Sequence, residues 1–186
     1  MVATKDKVQG FFAGVSGDQG SEKRALLPTK TRDGAPRGNK WLMHLVEGDV
    51  EIRYTREDSH PYISYRAVVD EPVDYEGRSL FGMFWFPRPA EEGDEEAAAQ
   101  YQTNLDRVVG QVDAILGEGT CAGLSTETLE SSLFELVPLL ENVAFVGKIG
   151  LERGKKKDPT DASNDAERYD DKNRISHFDH SDTWEG

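Results

Sequence analysis

The stretch PYISYRAVVDEPVDYEGRSLFGMFWFP, residues 61–87, carries the strand pattern from which the fold can be read. Between residues 61 and 70, apolar side chains alternate with other side chains, which predicts a strand that buries one face. The residues of that face are Ile63, Tyr65, Ala67 and Val69. The segment EPVDYEG supplies a turn, and RSLFGMFWFP predicts a strongly aromatic strand that ends at Pro87.

The segment WLMHLVEGDVEIRYT precedes this pair and predicts one long half-buried strand near residues 40–55. Its apolar residues share one parity, and Gly48 interrupts the pattern as a bulge or sharp bend would. The residues assigned to the inner face are Leu42, Val46, Val50, Ile52 and Tyr54. Three consecutive strands with short links predict an antiparallel meander.

Two helices are predicted after the meander, near residues 95–117 and 126–138. Apolar residues recur at helical spacing in both segments, and Gly117 ends the first. Ser125 or Thr126 is the expected N-cap of the second helix, and Pro138 is expected to end or kink it. The remaining segments, VAFVGKIGLER and AERYDDKNRISHF, predict strands near residues 143–153 and 167–178.

The order of three strands, two helices and two strands predicts a mainly β protein of the α+β class. It is compatible with a five-stranded antiparallel barrel of the oligonucleotide-binding (OB) type, with the helices between the third and fourth strands. We expect this OB-like nucleic-acid-binding domain over residues 39–178. A flexible Gly/Lys-rich segment, 1–38, would precede it and an acidic tail, 179–186, would follow.

Charge and cysteine content limit the possible partners. The formal net charge of -13 and the pI near 4.7 argue against a protein that binds polyanions over its whole surface. The single cysteine, Cys121, excludes an internal disulfide and a multi-cysteine zinc site. No apolar run is long enough to span a bilayer, and the N-terminal residues lack a signal-peptide pattern. These features predict a reducing, cytoplasmic setting without a membrane partner.

Together, the patterns YEGRSLFGMFWF, VGKIGLERG and NRISHF resemble the bacteriophage proteins grouped as DUF669. The resemblance covers about residues 39–178. It implies an OB-type barrel that coats single-stranded DNA during phage replication or recombination, in the cytoplasm of the host cell. The sequence does not indicate whether such a protein is a monomer or a dimer.

The resemblance does not supply binding residues, so candidates are taken from the chemistry of non-specific single-strand binders. These combine a cationic groove for phosphates with exposed aromatic rings that stack on bases. The cationic candidates are Arg53, Arg56, Arg66, Lys148, Arg153, Lys155, Lys156 and Lys157. The stacking candidates are Trp41, Tyr62, Phe81 and Trp85, which take the parity opposite to most apolar residues of their strands. The alternatives are a merely solvated basic loop and rings that pack inside a covered sheet.

The acidic end, FDHSDTWEG, predicts a site for replication or recombination partners that also competes with DNA for the basic groove. The candidate residues are Asp179, Asp182, Trp184 and Glu185, with Trp184 as the anchor; the alternative is a frayed terminus. A second function also remains open. The chain can instead be an acidic protein-interaction module, such as a phage anti-host factor or virion component, that uses the barrel without nucleic acid.

Catalytic and metal sites find little support in the sequence. The segment GLERGKKKDPT lacks the first glycine and the Ser or Thr of a phosphate-binding loop. His177 and His180, with Asp179 and Asp182, can be drawn as a metal site, but an acidic tail produces such clusters by chance. Cys121 has no local partner for nucleophilic catalysis. We therefore expect a protein that is not an enzyme and carries no cofactor.

Overall fold

The computed structural model describes residues 26–89, 94–121, 129–163 and 166–185. Their regular elements, in chain order, are β1 (Lys40–Leu45), β2 (Glu51–Tyr54), β3 (Pro61–Glu71), β4 (Ser79–Phe84), α1 (Glu95–Leu116), α2 (Leu129–Leu140), β5 (Ala144–Glu152) and β6 (Lys172–His180). The protein is mainly antiparallel sheet with two helices, as the sequence predicts. Neither helix in the described ranges has an apolar stretch long enough to cross a membrane.

Strand β3 organises the sheet because it is paired along both of its edges. One edge carries β4, with Arg66 opposite Phe81. The other edge carries β2 and then β1, so that Tyr62 faces Arg53 and Ala67 faces Leu45. Strand β5 pairs with the far edge of β1, and β6 pairs with β5. All of these pairings are antiparallel.

Strands β1 and β2 occupy the single long strand that the sequence predicts, bent at the point where it was expected. Gly48 has a φ of 76°, a left-handed conformation that glycine adopts without strain. Bonds from Val46 N to the Arg66 carbonyl (3.0 Å) and from Arg66 N to the Asp49 carbonyl (3.3 Å) continue the ladder across the bend. The bend changes which side chains face inward, however.

Trp41 is a residue whose side chain lies on a different face from the one predicted. It was expected on the outer face as a stacking ring, but its exposed fraction is 0%. Its indole Nε1 donates to Asn39 Oδ1 at 2.8 Å, and its ring meets Tyr75 edge-on. In β1 the buried parity is Trp41, Met43 and Leu45, opposite to the parity predicted from the residues after the bend. A single inward parity across residues 40–54 was therefore wrong.

The sheet does not close into a hydrogen-bonded barrel, because no ladder joins β4 to β6 within the described residues. The two strands nevertheless approach each other, with Phe84 and Phe178 ring centroids 5.5 Å apart. A cleft of about 300 Å³ lies between them and is bordered by Leu27. The Asn173 side chain forms two hydrogen bonds with the Leu27 backbone: it accepts from the N–H at 2.6 Å and donates to the carbonyl oxygen at 3.1 Å.

Both ends of the predicted domain differ from expectation. Residues 1–25 of the expected flexible segment lie outside the described residues. From residue 26 onward the segment packs on the domain, since Leu27 and Ala35 are buried. At the other end, β6 continues to His180, two residues beyond the expected end of the last strand at Phe178. The chain then forms a short 3-10 turn, Ser181–Thr183.

The helices cover the sheet with their apolar stripes. Asp94 caps α1 by accepting from the Ala97 N–H at 2.9 Å, and the helix packs on β6. Helix α2 packs against β2 and β3 and runs through Pro138 to Leu140. Pro138 therefore does not end the helix, because in the last turn it removes only one backbone hydrogen bond. The expected N-cap of α2, Ser125 or Thr126, lies outside the described residues.

Gly82 allows the ring of Tyr65 to cross β4. The two residues face each other across the β3–β4 ladder, and a Cβ at Gly82 would lie 2.3 Å from the Tyr65 hydroxyl oxygen. Tyr65 is itself packed against Phe84 and Phe178, so its ring has little room to move. Glycine is required at this position for packing rather than for backbone conformation.

We predict that Gly82→Ala destabilises the fold by about 1–3 kcal/mol, the usual cost of overpacking a core. Gly110→Ala is the matched control, because a Cβ there meets nothing within 4 Å on the exposed side of α1. It should stabilise the protein by up to about 1 kcal/mol through helix propensity. Urea denaturation followed by circular dichroism measures both. A Gly82→Ala protein as stable as the parent would contradict this packing.

Candidate nucleic-acid interface

The outer face of β4 carries a stripe of exposed apolar side chains, which we call the aromatic stripe: Phe81, Met83 and Trp85. Their exposed fractions are 74%, 57% and 44%. Alternation along the strand produces the stripe, because Leu80 and Phe84 face inward and are buried. Successive members are about 7 Å apart along the strand. Met83 was not a sequence candidate, although it shares the parity of Phe81 and Trp85.

Tyr62 extends the stripe onto β3. Its ring lies 5.4 Å from the Trp85 ring at an interplanar angle of 30°, and His60 lies on the same indole at 5.7 Å. The Tyr62 and Trp85 rings therefore pack together at one end of the stripe, and Phe81 lies at the other end. Three of the four predicted stacking residues, Tyr62, Phe81 and Trp85, share this face, and Trp41 does not.

Arg53 and Arg66 lie beside the stripe, each paired with a carboxylate. Arg66 donates to Asp49 and Arg53 donates to Glu51, through two nitrogens in each case. The four side chains border one cleft of about 250 Å³ with Phe81 and other residues of β3 and β4. Arg56 is exposed in the turn after β2 and does not line this cleft.

The basic loop between β5 and β6 is a hydrogen-bonded arm that extends this strand pair. Tyr169 N donates to the Lys155 carbonyl at 2.9 Å, and Lys157 N donates to the Glu167 carbonyl at 2.8 Å. At the base, a Cβ on Gly154 would lie 1.8 Å from the Tyr169 carbonyl oxygen, so only glycine fits there. The arm holds its cations in defined positions.

Two of the predicted phosphate contacts are engaged inside this arm. Lys156 Nζ donates to the carbonyl oxygens of Asp161 (2.6 Å) and Ser163 (3.1 Å). Lys157 Nζ lies 2.5 Å from Glu167 Oε1, and this hydrogen bond raises the pKa of the lysine above its ordinary value. Oxygen atoms of the loop therefore already bind these two lysines, and a phosphate would have to compete with them for Lys156 and Lys157.

Arg153 and Lys155 remain available. Both are exposed, and neither forms an ion pair with a residue in the described ranges. They line a shallow cleft with Tyr169, whose exposed fraction is 61%, and with Lys172 at the start of β6. Lys148 is half-buried in β5 and lines none of the clefts described above.

The three clefts are neighbours that share lining residues, and we call this series of clefts the track. Phe81 lines both the β2–β4 cleft and the cleft between β4 and β6. Lys172 lines both that middle cleft and the cleft at the base of the arm. The track thus runs from Arg53 and Arg66, across Phe81, to Lys172, Lys155 and Arg153. Lys172 and Tyr169 were not sequence candidates; they stand at the end of a loop that looked merely polar and acidic.

The C-terminal candidates do not form a free tail. Asp179 lies in β6, and its carboxylate is 3.1 Å from the His177 ring. Trp184 is half-buried, and its indole N–H donates to Glu71 Oε2 at 3.1 Å. Asp182 and Glu185 are exposed on either side of it. Truncation after Phe178 would therefore cut into β6 rather than remove a separate tail.

The remaining reactive groups of the described residues are Cys121 and the histidine and carboxylate side chains. Within the described residues, no three His, Cys, Asp or Glu side chains are grouped to hold a metal ion. Cys121 is buried beside Asp113, whose carboxylate accepts from the Cys121 N–H at 2.8 Å. Burial and the nearby carboxylate raise the pKa of the Cys121 thiol to about 12.

We predict that Cys121 reacts very slowly with a thiol reagent such as DTNB at pH 8 while the protein is folded. The thiolate is the reactive species, and it is scarce when the pKa is raised. Because the folded pKa lies above the unfolded one, this group's contribution to stability is complete below about pH 9 and is lost toward pH 12. Reaction in urea provides the fast reference, and equally fast labelling without urea would contradict the prediction.

Comparison of the chain with protein-family models, with curated proteins and with solved structures gives no match. The resemblance to the phage family stays a prediction from the sequence motifs, and the function has to be argued from the geometry above.

Proposed function

We propose that this protein is a non-catalytic single-stranded-DNA-binding protein. The observation that carries the proposal is the exposed aromatic stripe, Phe81, Met83 and Trp85, on the outer face of β4 at one edge of the sheet. Single exposed apolar side chains are common, but a contiguous row of them on a protein surface marks a binding site. Exposed rings beside cations are the arrangement by which single strands are bound without sequence preference.

The spacing of the stripe favours a single strand over a duplex. Alternate residues of a strand are about 7 Å apart, twice the 3.4 Å rise between stacked base pairs. An unstacked strand can place one base on each member of the stripe, whereas a stacked duplex cannot expose its base faces. The cations Lys155 and Arg153 lie toward one side, where they can contact the phosphates; Lys172 beside them is paired with Glu152 at 3.7 Å.

The connectivity supports an open OB-like barrel as the scaffold. In this proposal β1 and β2 count as one bent strand, which gives five strands with the helices between the third and fourth. Ring contact between Phe84 and Phe178 brings the two free edges together without a ladder. The faces of the second and third strands and the loop between the last two are the surfaces by which such barrels bind oligonucleotides. The aromatic stripe and the basic arm occupy those positions.

The motif resemblance extends the proposal to phage replication or recombination. In such a role the acidic remainder of the surface keeps the protein soluble, while cations are confined to the track. Trp184 and its acidic neighbours remain the candidate contact for a replication protein, now as a docked surface beside Glu71.

We predict that Phe81→Ala combined with Trp85→Ala weakens binding of a labelled thymidine oligomer by at least about tenfold. Stacking contributes about 1–3 kcal/mol per base. Phe134→Ala is the control, because this ring is 61% exposed on α2 and does not line the track. Fluorescence polarisation measures the affinities. If both variants bind like the parent, or if duplex of equal length competes equally well, the stripe is not a stacking surface.

We predict that Arg153→Gln combined with Lys155→Gln reduces the salt dependence of binding. Each neutralised phosphate contributes about -0.7 to the log–log slope for a single strand, so the slope should become shallower by about 1.4. Lys157→Gln is the comparison, and it should have a smaller effect because Glu167 already balances that charge. An unchanged slope in the double variant would remove the arm from the site.

Failure of the unmodified protein to bind any oligomer would favour the other function, an acidic protein-interaction module. In that case the aromatic stripe would be a contact for another protein, and loss of its rings would affect complex formation instead.

A further inference from the structure

Two ion pairs border the aromatic stripe on the side of β2, and we call them the acid–arginine ladder: Asp49–Arg66 and Glu51–Arg53. Asp49 Oδ2 accepts from Arg66 Nε at 2.8 Å and Nη2 at 2.6 Å. Glu51 Oε2 accepts from Arg53 Nε at 3.2 Å and Nη2 at 2.9 Å. In the part of the chain that the structure describes, the second oxygen of each carboxylate forms no hydrogen bond.

The ladder is a poor site for phosphate, because each arginine is already balanced by an acid. The cations without such partners, Arg153 and Lys155, belong to the arm next to β6. Across the sheet the order is therefore ladder, aromatic stripe and cationic arm. A strand whose bases lie on the stripe has its phosphates on the arm side, which turns its base edges toward the ladder.

We propose that the acid–arginine ladder reads the edge of a guanine base in the bound strand, an inference that rests on the proposed function. Single-stranded nucleic acids expose their pairing edges, and proteins read them by hydrogen bonds. Asp49, Glu51 and Ser64 offer acceptors, Arg53 and Arg66 offer donors, and all five line the cleft that includes Phe81.

Guanine matches this set because its pairing edge has two adjacent N–H donors, N1 and N2, next to the acceptor O6. The unbonded oxygens of Asp49 and Glu51 can accept from these donors, while a neighbouring guanidinium donates to O6. Thymine has a single N–H between two carbonyl groups and no amino group. The cleft, at about 250 Å³, is smaller than the roughly 300–1,000 Å³ of sites that enclose whole small molecules, which suits one base.

The ion pairs do not prevent this readout. Their side chains are exposed by about a third to a half, and exposed ion pairs contribute little to stability. A base edge can therefore take over part of their hydrogen bonding while the arginine and the acid remain in contact.

The test compares thymidine oligomers whose central nucleotide is guanine, cytosine, adenine or thymine, by fluorescence polarisation at one low salt concentration. We expect the guanine oligomer to bind about tenfold more tightly than the thymidine oligomer, the effect of one good bidentate contact. Asp49→Asn combined with Glu51→Gln should reduce that advantage to less than about twofold. The plain thymidine oligomer is measured with the same variant, so that the guanine advantage is a ratio within one protein.

Glu118→Gln combined with Glu135→Gln is the control, because it removes the same charge from exposed carboxylates that line none of the clefts of the track. It should keep the full guanine advantage. Circular dichroism of both variants checks that the sheet is intact.

The outcomes separate the two proposals. If all four oligomers bind the parent with equal affinity, the guanine inference is wrong and single-strand binding stands. If none binds, both proposals fail together. If free guanosine monophosphate displaces the guanine oligomer at equal concentration, the ladder binds a nucleotide rather than a strand, which overturns the inference as stated.

Discussion

The pairing of β3 along both edges is the constraint on which the rest of the molecule depends. Its inward residues, from Ile63 to Val69, form the floor of the core, and its outward residues border the candidate binding face. Because side chains alternate strictly along a strand, one register fixes both surfaces at once. Gly82 completes this arrangement by letting Tyr65 lie across the neighbouring strand. The same strand pairings therefore determine both the core and the candidate site, which lie on opposite faces of the sheet.

A protein of strong net negative charge can bind a polyanion only where cations are grouped on one part of its surface. The arm between β5 and β6 achieves this by using some of its lysines internally. Lys156 holds the carbonyl groups of its own loop, and Lys157 is balanced by Glu167. The resulting rigid base presents Arg153 and Lys155 beside an exposed tyrosine. Of the four cations that form one cluster in the sequence, two are therefore bound by oxygens of the loop and two are exposed on the surface.

The sequence predicts the strand order, both helices and the exposure of Phe81 and Trp85, because period-two alternation reports directly on burial. It fails for Trp41, because the bend at Gly48 reverses the parity of everything before it. It does not indicate the partners of Lys156 and Lys157, because these are brought close only by the fold of the arm. Lys172 and Tyr169 join the track through tertiary placement that no local pattern encodes. Local periodicity therefore predicts which face of a strand a side chain occupies. Which residues come together in the candidate site depends on long-range contacts.

The two hydrogen bonds between Asn173 and the Leu27 backbone have a consequence for self-association. Strand edges with unpaired backbone groups are templates onto which another copy can add, and natural proteins cover or blunt them. Here β4 and β6 leave such edges facing each other, and the residues before β1 lie between them. Leu26 and Leu27 therefore cover part of the gap through which a strand of another copy would otherwise reach both edges.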